Sequence, residues 1–444
     1  IGYFTSNLYW ISISLTFDES FKFLIPLTII LIPAFLALFY GLASYLFLIL
    51  KPKENLSSFF LFSLIFGIIE FIRGSILTGF PWNLIAYSFS NQTEILYIIS
   101  IIGTYSFNLF CISLFTSPSI FILRKNKKEI IVSSLFLIMA FSFYVFGSKR
   151  LEKFNNIDAN KLNYKVRVVS SNVSIDRFYQ DTDPTSVIND LVKISSPKVD
   201  EKTIFIWPEG ILPQISKDQL KEYKFLFENK FNENHLLSLG INEIKKEGQI
   251  TKYFNSFTTY DHNLEILNSY NKINLVPFGE FLPFEKILGF IGLKTITNNY
   301  QSYSKGKKRS IIEINKFGSS IKLLPLICYE IIYSGNIFDD DNFDFIVNIS
   351  EDGWFGHSIG PQQHFVHSIY RSIESGKYVL RSANNGKAAI INPLGVVEKK
   401  VDLNKSGYID FTETKKIKPT IFSKYGNKIF VLIILLYIFL IFSF

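Results

Sequence analysis

The chain has 444 residues, of which 48% are hydrophobic and only 19% are charged, and its formal net charge is +8 at pH 7. So high an apolar fraction excludes a disordered or collagen-like chain, and the charged fraction falls below the roughly 25% of an average soluble domain. Only two cysteines, Cys111 and Cys328, are present, which excludes a small scaffold held together by disulfides. Because the apolar residues are unevenly spread, we predict a membrane protein that carries a soluble domain.

Five apolar segments are predicted to cross the membrane, since a span needs about 20 apolar residues for a hydrocarbon layer of about 30 Å. The predicted spans are Phe23–Leu50, Leu56–Leu77, Ile95–Leu123, Ile130–Ser148 and Ile429–Phe444. The second span includes Glu70 and Arg73, which lie three residues apart on one helix face and can form an ion pair. Residues 1–17 are interpreted as the end of an earlier span or as a segment at the membrane surface.

The basic residues of the short loops predict the orientation of the spans. Lys51 and Lys53 follow the first span and a basic cluster at 124–128 follows the third, whereas the loop at 78–94 contains no Lys or Arg. Both basic loops are therefore expected in the cytoplasm, which places residues 149–427 on the opposite side. Cys328 would then be a free thiol in a compartment where thiols are usually oxidised.

Residues 160–412 are predicted to form an α/β domain, because short apolar runs alternate with helical segments. Fully apolar runs suit strands buried on both faces, with helices covering a central sheet. The predicted strands are Val166–Ser170, Thr203–Trp207, Leu236–Gly240, Ser256–Tyr260, Lys322–Ile327, Phe345–Ile349, Val379–Ser382, Ala388–Ile391 and Tyr408–Phe411, and the predicted helices are Pro184–Ile194, Lys217–Asn229 and Pro361–Ser375. Residues 149–165 are expected to form a linker next to the membrane.

Three reactive side chains directly follow predicted strands, where α/β folds display functional groups. They are Glu209 in Trp207-Pro208-Glu209, Lys272 eight residues before Glu280, and Cys328 at the end of an apolar run. Taken singly, each has an ordinary interpretation, namely a solvated cap, a surface lysine and a core cysteine. Taken together, they supply a base, a cation and a thiol.

The order Trp-Pro-Glu, Lys, Pro-Phe-Gly-Glu and Cys-Tyr-Glu resembles the Glu–Lys–Cys signature of the carbon–nitrogen hydrolase, or nitrilase, superfamily. The motifs are most similar to those of its integral-membrane branch, the apolipoprotein N-acyltransferase family. Further matching segments are Glu70–Gly74, Leu77–Trp82, Asp352–Gly356, Ser358–Phe365 and Leu380–Gly386. Two segments depart from the family's usual sequence motifs, namely residues 170–179 and Glu351-Asp352-Gly353-Trp354.

The resemblance implies a membrane α-helical bundle plus an α/β soluble domain that is a nitrilase-like α-β-β-α sandwich. It divides the chain into a bundle at 1–150, truncated at its N-terminus relative to the family, a catalytic extracytoplasmic domain at 160–412 and a C-terminal transmembrane helix at 428–444. The implied location is the bacterial inner membrane, crossed several times, with the catalytic domain on the periplasmic side. The chain is expected to be a monomer.

The implied chemistry is acyl transfer through a covalent thioester on Cys328. A thiol is mostly protonated at neutral pH, so Glu209 is expected to act as general base and Lys272 to favour the thiolate and bind the developing oxyanion. Supporting roles are expected for Glu280, which holds Lys272, for the backbone N–H of Tyr329, and for Glu330. The implied donor is a phospholipid, with phosphatidylethanolamine expected, and the implied acceptor is the α-amine of a diacylglyceryl apolipoprotein.

Four aromatic residues are expected to contact the substrate: Phe281, Phe284, Trp354 and Phe355. The segment around Phe281 and Phe284, with 287–293, is interpreted either as an arm that dips into the leaflet or as an ordinary core helix. Trp354 and Phe355 lie between glycines, as in a hinged loop that covers acyl chains, or else pack in the core. No cofactor, metal or nucleic acid is expected, because His364 and His367 lack a third ligand nearby.

Two other functions fit parts of the pattern. A membrane-anchored amidase would use the same Glu–Lys–Cys set with water as second substrate, although a hydrolase of soluble amides has no use for five spans. A transporter or receptor would have lost catalysis, but the three reactive residues are all present.

Overall fold

The computed structural model describes residues 1–290, 295–296, 301–335, 337 and 342–444. Its N-terminal part is a helical bundle, which the two C-terminal helices join, and an α/β domain lies between these parts in the chain. The helices are α1 (Gly2–Leu8), α2 (Ile25–Leu50), α3 (Asn55–Arg73), α4 (Thr93–Leu96), α5 (Ile99–Ile122), α6 (Lys127–Asn155), α7 (Pro184–Ser195), α8 (Glu285–Phe290), α9 (Gly360–Ser375), α10 (Ile421–Tyr425) and α11 (Lys428–Ser443).

Within the described part of the chain, four helical segments are long and apolar enough to cross a membrane, and they contain α2, α3, α5 and α6. The last predicted span, α11, is an apolar helix of 16 residues and is shorter than these. Ahead of α2, residues 1–24 form α1 and two 3-10 turns, Tyr9–Thr16 and Glu19–Leu24. This segment packs on α2 and reaches the soluble domain, where the indole of Trp10 donates a hydrogen bond to Gln363 at 2.9 Å.

Three predicted spans differ from the structure. The second ends with α3 at Arg73 and does not reach Leu77. The third is interrupted at Gly103, whose positive φ of 74° brings the backbone so close to Phe422 that a Cβ would lie 2.0 Å from its ring. The fourth does not stop at Ser148 but continues as α6 to Asn155. The linker predicted at 149–165 is therefore wrong, because its first half is helix and its second half already belongs to a strand that begins at Asn160.

The α/β domain contains two six-stranded mixed sheets. The strands are β1 (Asn160–Ser170), β2 (Thr203–Ile206), β3 (His235–Glu247), β4 (Ile250–Tyr260), β5 (Ile266–Asn271), β6 (Ile312–Lys316), β7 (Ser319–Ile327), β8 (Phe345–Glu351), β9 (Tyr378–Asn384), β10 (Ala388–Ile391), β11 (Val397–Val401) and β12 (Gly407–Thr414). The first sheet has the order β12-β1-β2-β3-β4-β5 and the second β11-β10-β9-β8-β7-β6. In each sheet three central strands, β1–β3 or β7–β9, are parallel and the outer ones antiparallel.

All predicted strands are present, most of them longer than expected, and α7 and α9 match two predicted helices closely. The helix predicted at Lys217–Asn229 is instead a 3-10 segment, Gln219–Leu226. Three strands were not predicted, namely β5, β6 and β11. All three lie at sheet edges, where one side of the strand has no neighbour and the apolar pattern is weaker.

The two sheets face each other across an apolar core, with α7 on the outer face of the first and α9 on the outer face of the second. The core around α9 is continuous with the bundle. The hydroxyl of Tyr370 on α9 donates to the carbonyl of Ala86 at 2.6 Å, and that of Thr104 on α5 donates to Glu374 at 2.6 Å. The second sheet is thus fixed against the bundle, whereas the first lies on the far side of the sandwich.

Candidate active site

The three predicted reactive residues lie at strand ends, two on the first sheet and one on the second. Glu209 is in the loop after β2, Lys272 directly follows β5, and Cys328 directly follows β7. The Glu209 loop passes so close to β3 that a Cβ on Gly240 would lie 2.6 Å from the Glu209 Cα. A glycine in β3 therefore lets the carboxylate approach the second sheet.

A buried charge cluster brings Glu209, Lys272 and Glu280 together. The Lys272 Nζ lies 3.3 Å from Glu209 Oε1 and 3.0 Å from Glu280 Oε1. The Nδ2 of Asn255 on β4 donates to the same two oxygens, at 2.7 Å and 2.8 Å. Asn255 has no motif around it, so the sequence analysis missed this bridging amide, which keeps the two carboxylates beside one ammonium.

Burial and charge set the protonation of this cluster. Burial alone would lower the pKa of Lys272, but the carboxylates of Glu209 and Glu280 outweigh it and raise that pKa. Lys272 therefore stays an ammonium. Burial raises the pKa of Glu280, and the neighbouring Glu209 acts in the same direction, while Lys272 opposes both.

Cys328 is a partly exposed free thiol with a positive φ of 50°, a strained conformation for a residue with a side chain. Burial raises its pKa, the Glu209 carboxylate raises it further, and the Lys272 ammonium opposes both. The charges of both predicted partners thus act on the sulfur. Because the net direction is upward, Cys328 rests as a thiol, and a base must take its proton when it reacts.

Glu330, predicted as a supporting residue, is fully buried and ties two of these positions together. Its Oε2 accepts the N–H of Ile327, which precedes the nucleophile, at 2.9 Å. Its Oε1 accepts the N–H of Ile273, which follows Lys272, at 2.9 Å. The side chain therefore links the segment that precedes Cys328 to the segment that follows Lys272.

Tyr329, the residue after the nucleophile, anchors the site to the bundle. Its hydroxyl donates to the carbonyl of Gly79 at 2.9 Å, and that of Tyr333 donates to the carbonyl of Thr78 at 2.7 Å. The loop that carries these carbonyls is held in turn by Arg73, which donates to the Phe80 carbonyl at 2.6 Å and pairs with Glu70. The ion pair expected inside the second span is thus present and supports this loop.

A second buried network lies behind Cys328. Ser350 Oγ is 3.5 Å from the sulfur and donates to Asp352 Oδ1 at 2.7 Å. Asp352 also contacts His364 Nδ1 at 2.9 Å and Arg381 Nη2 at 3.0 Å. Burial would raise the pKa of Asp352, but Arg381 and His364 lower it to about 2, so the carboxylate is ionised. Asp352, His364 and Arg381 lie in segments that match the family and had no predicted catalytic role, whereas Ser350 lies outside those segments.

The segment 170–179 contacts the segment 351–354, and both depart from the family's usual sequence motifs. Arg177 and Glu351 form a fully buried ion pair, and Arg177 also donates to the carbonyl of Gly210. The backbone N–H of Glu351 donates to Glu209 Oε2 at 3.0 Å. The two departures therefore compensate each other's charge directly beside the predicted base.

The four predicted substrate aromatics do not lie together. Phe355 packs in an aromatic cluster with Trp10 and Trp82, at ring distances of 4.7 Å and 6.2 Å. Trp354 packs on Phe178 at 4.9 Å. Phe281 lines a cavity, and Phe284 is 73% exposed on the same segment. Part of the predicted arm, 291–293, lies outside the described residues.

The cavity has a volume of about 510 Å³ and lies between the bundle and the soluble domain. It is lined from the bundle by Gly74, Ser75, Leu77 and Thr78, and from the soluble domain by Ile273, Asn274, Leu275, Phe281, Leu282, Glu285, Ser302, Tyr303, Lys305 and Tyr333. Glu209, Lys272 and Cys328 do not line it, but Ile273 is next to Lys272 and Tyr333 belongs to the segment after the nucleophile. Across the described residues, no three His, Cys, Asp or Glu side chains are grouped to hold a metal ion.

Comparison with known proteins decides the family. Residues 203–414 match the model of the carbon–nitrogen hydrolase family, and residues 1–117 match that of the apolipoprotein N-acyltransferase N-terminal domain. An apolipoprotein N-acyltransferase of Rhodopseudomonas palustris is 31% identical over 441 residues, covering 96% of this chain and 81% of that protein. One of Rickettsia bellii is 34% identical over 452 residues, covering 99% and 86%. The chain belongs to the apolipoprotein N-acyltransferase family.

Among solved structures, an amidase from Nesterenkonia sp. is similar at 11% identity and a TM-score of 0.37, covering 59% of this chain and 94% of that one. The expected family, enzyme class and fold class, a membrane helical part plus a nitrilase-type α/β domain, are confirmed. The chain is thus an N-acyltransferase associated with the membrane.

Proposed function

We propose that the enzyme transfers a fatty acyl chain from a phospholipid to the α-amine of the N-terminal diacylglyceryl-cysteine of apolipoproteins, through a thioester on Cys328. The observation that carries this proposal is the buried Glu209–Lys272–Glu280 cluster, in which the charges of Glu209 and Lys272 act on Cys328. Of the two cysteines, Cys328 is partly exposed and Cys111 is buried. A base, a fixed ammonium and a thiol are the groups that covalent acyl transfer requires.

In the first half-reaction Glu209 takes the proton of Cys328, and the sulfur attacks an ester carbonyl of the phospholipid. Lys272 stabilises the negative charge that develops on the carbonyl oxygen, together with the N–H of Tyr329. The bond between the carbonyl carbon and the glycerol oxygen then breaks, and the proton on Glu209 passes to that oxygen. The products are a thioester on Cys328 and a lysophospholipid.

In the second half-reaction the free α-amine of the apolipoprotein attacks the thioester carbonyl. Glu209 takes a proton from the amine, the carbon–sulfur bond breaks, and the proton returns to the sulfur. The products are an amide on the lipoprotein and the free thiol of Cys328. Glu280 contacts Lys272, and the Asn255 amide bridges Glu280 and Glu209, so these two residues keep Lys272 and Glu209 in place through both steps.

The cavity between bundle and domain is the proposed entry of lipid. It is lined by apolar residues such as Leu77 and Phe281 and by two groups of opposite charge, Glu285 and Lys305. The headgroup of phosphatidylethanolamine carries an ammonium, which a carboxylate such as Glu285 can bind, and a phosphate, which an ammonium such as Lys305 can bind. This pair supports phosphatidylethanolamine as the donor. The exposed Phe284 belongs to the same segment and supports an arm that inserts into the leaflet.

The proposed location is the bacterial inner membrane, with the catalytic domain on the periplasmic side. The basic loops at 51–53 and 124–128 follow helices that can span the membrane, and they support a cytoplasmic position for those ends of the bundle. The enzyme is proposed to act as a monomer, because one chain supplies the general base Glu209, the ammonium of Lys272 and the thiol of Cys328.

The test is a chase experiment on the purified full chain. The enzyme is incubated with phosphatidylethanolamine that carries a labelled acyl chain, and then with a synthetic diacylglyceryl-cysteine peptide. The label is expected in the peptide as an amide, and an N-acetylated peptide, which has no free amine, serves as control. Release of the label only as free fatty acid would contradict the proposal and would instead indicate a hydrolase.

A further inference from the structure

His364 on α9 touches the main chain of the nucleophile. Its Nε2 lies 3.2 Å from the carbonyl oxygen of Cys328, and its Nδ1 lies 2.9 Å from Asp352 Oδ1. The side chain is 1% exposed. An oxygen acceptor thus faces each ring nitrogen, and the bond to Cys328 forms when Nε2 carries a proton.

The orientation of the His364 ring is fixed from several sides. Asp352 is held by Arg381, whose Nη2 lies 3.0 Å from both carboxylate oxygens. The ring stacks on Trp82 of the bundle at 5.7 Å, with 24° between the planes, and meets Phe355 edge-on at 5.5 Å. The Nε2 therefore points at one place, the Cys328 carbonyl.

The Cys328 backbone needs such support because its φ of 50° is unfavourable for a residue with a Cβ. A left-handed residue of this kind persists only where neighbouring groups hold it. Glu330 accepts the N–H of Ile327 just before the turn, and His364 meets the carbonyl just inside it. The direction of the sulfur follows from this turn, because the side chain and the carbonyl share one Cα.

We infer that His364, oriented by Asp352 and Arg381, is a positioning residue that fixes Cys328 in its left-handed conformation and so aims the sulfur at the acyl carbonyl. The inference rests on the proposed role of Cys328 as nucleophile. A misplacement of about 1 Å in a reacting group can cost about 10²-fold in rate, so loss of this one hydrogen bond is expected to slow thioester formation.

Two isosteric substitutions separate the contacts of the ring. The amide nitrogen of Gln in His364→Gln falls near Nε2 and can still donate to the Cys328 carbonyl. The amide of Asn in His364→Asn falls near Nδ1, so it keeps the Asp352 contact and loses the carbonyl. His367, one turn further along α9, provides the matched control, because it is equally buried but packs its ring on Trp82 and Tyr87.

The experiment compares full-length wild type, His364→Gln, His364→Asn and His367→Gln. Three quantities are measured: the rate of thioester formation from labelled phosphatidylethanolamine in a single turnover, the rate of Cys328 alkylation by iodoacetamide, and the thermal unfolding midpoint. We expect His364→Asn to lose about 10²-fold in thioester formation, His364→Gln to stay within about tenfold of wild type, and His367→Gln to stay near wild type. The thermal unfolding midpoints of His364→Gln and His364→Asn should be similar to each other.

Equal losses in His364→Gln and His364→Asn, in step with lower unfolding midpoints, would overturn the inference, as would a wild-type rate in His364→Asn. The alkylation arm separates this failure from failure of the proposed function. Iodoacetamide needs no lipid, so a changed alkylation rate in His364→Asn but not in His364→Gln would support positioning even if wild type formed no thioester.

Discussion

The two sheets of the sandwich contribute different things to the same site. The first sheet provides charge: Glu209 and Lys272 follow its strands, and Asn255 bridges the carboxylates from β4. The second sheet provides the sulfur and its mechanical support, with Cys328 after β7 and Ser350 at the end of β8. The second sheet, through α9, shares a continuous core with the membrane bundle.

This division indicates how a hydrolase-type fold can serve a lipid substrate. The groups that move protons follow strands of the first sheet, whereas the nucleophile that must meet the acyl chain is fixed to the membrane part through Tyr329 and Tyr333. If the division holds, substitutions on the first sheet should change the charge and proton chemistry of Cys328. Substitutions on the second sheet should change its position.

The largest effect is expected for Lys272→Met, on the first sheet. This substitution removes the ammonium that stabilises the oxyanion and leaves Glu209 and Glu280 facing each other without a cation, so thioester formation should fall by at least about 10³-fold. Because Lys272 lowers the pKa of Cys328, the alkylation-versus-pH curve should also move to higher pH.

The control for this substitution is Lys165→Met, which removes a partly buried lysine of β1 that pairs with Glu201, just before β2 of the same sheet. Thioester formation is measured in both variants with labelled phospholipid. Normal turnover in Lys272→Met would remove Lys272 from the mechanism.

Glu209→Gln should have the next largest effect on thioester formation. Its shift of the alkylation-versus-pH curve should be opposite in sign to that of Lys272→Met. Loss of the general base should slow thioester formation by about 10²–10³-fold, in the lower part of the range for acid–base catalysis. Its carboxylate raises the pKa of Cys328, so its removal lowers that pKa and should move the alkylation curve to lower pH. The two curves are measured by mass spectrometry of the Cys328 peptide, with Glu201→Gln as control. A shift to higher pH would contradict the geometry.

Tyr329→Phe, on the second sheet, should have the smallest effect of the three. It removes one hydrogen bond to the Gly79 carbonyl and no charge, so we expect thioester formation to slow by about tenfold, the order that one lost hydrogen bond of 1–1.5 kcal/mol gives. The pH dependence of alkylation should not move. The control is Tyr164→Phe, a buried tyrosine whose ring stacks on Phe317. A shift of the alkylation-versus-pH curve in Tyr329→Phe would contradict the division of roles between the two sheets.

The sequence predicted the parts of the fold and site that short patterns encode. Fully apolar runs identified the central strands, including those that precede Glu209 and Cys328, whereas β5, which precedes Lys272, was not among the predicted strands. Three of the four edge strands were missed because their residues, such as Ile266–Asn271, mix polar and apolar side chains at a half-covered position. Element limits set by tertiary contact were also missed, as with the break at Gly103 under Phe422.

Groups that act through another residue left no signal in the sequence. Asn255 lies in the middle of β4, and its importance depends on two carboxylates that come from other parts of the chain. The pairing of Arg177 with Glu351 joins residues 174 positions apart. Phe355 was interpreted either as a cover for acyl chains or as core packing, and the structure places Trp10 of the N-terminal segment against it. Such contacts depend on the packing of bundle against domain, which local patterns do not specify.

The central claim is that Cys328 carries the acyl chain between donor and acceptor. The most direct measurement is the intact and peptide mass of the enzyme after incubation with phosphatidylethanolamine and before any acceptor is added. We predict a gain of one acyl group, located on the peptide that contains Cys328, removed by neutral hydroxylamine and absent from Cys328→Ala. An acyl group located elsewhere, or one that persists in Cys328→Ala, would contradict the account.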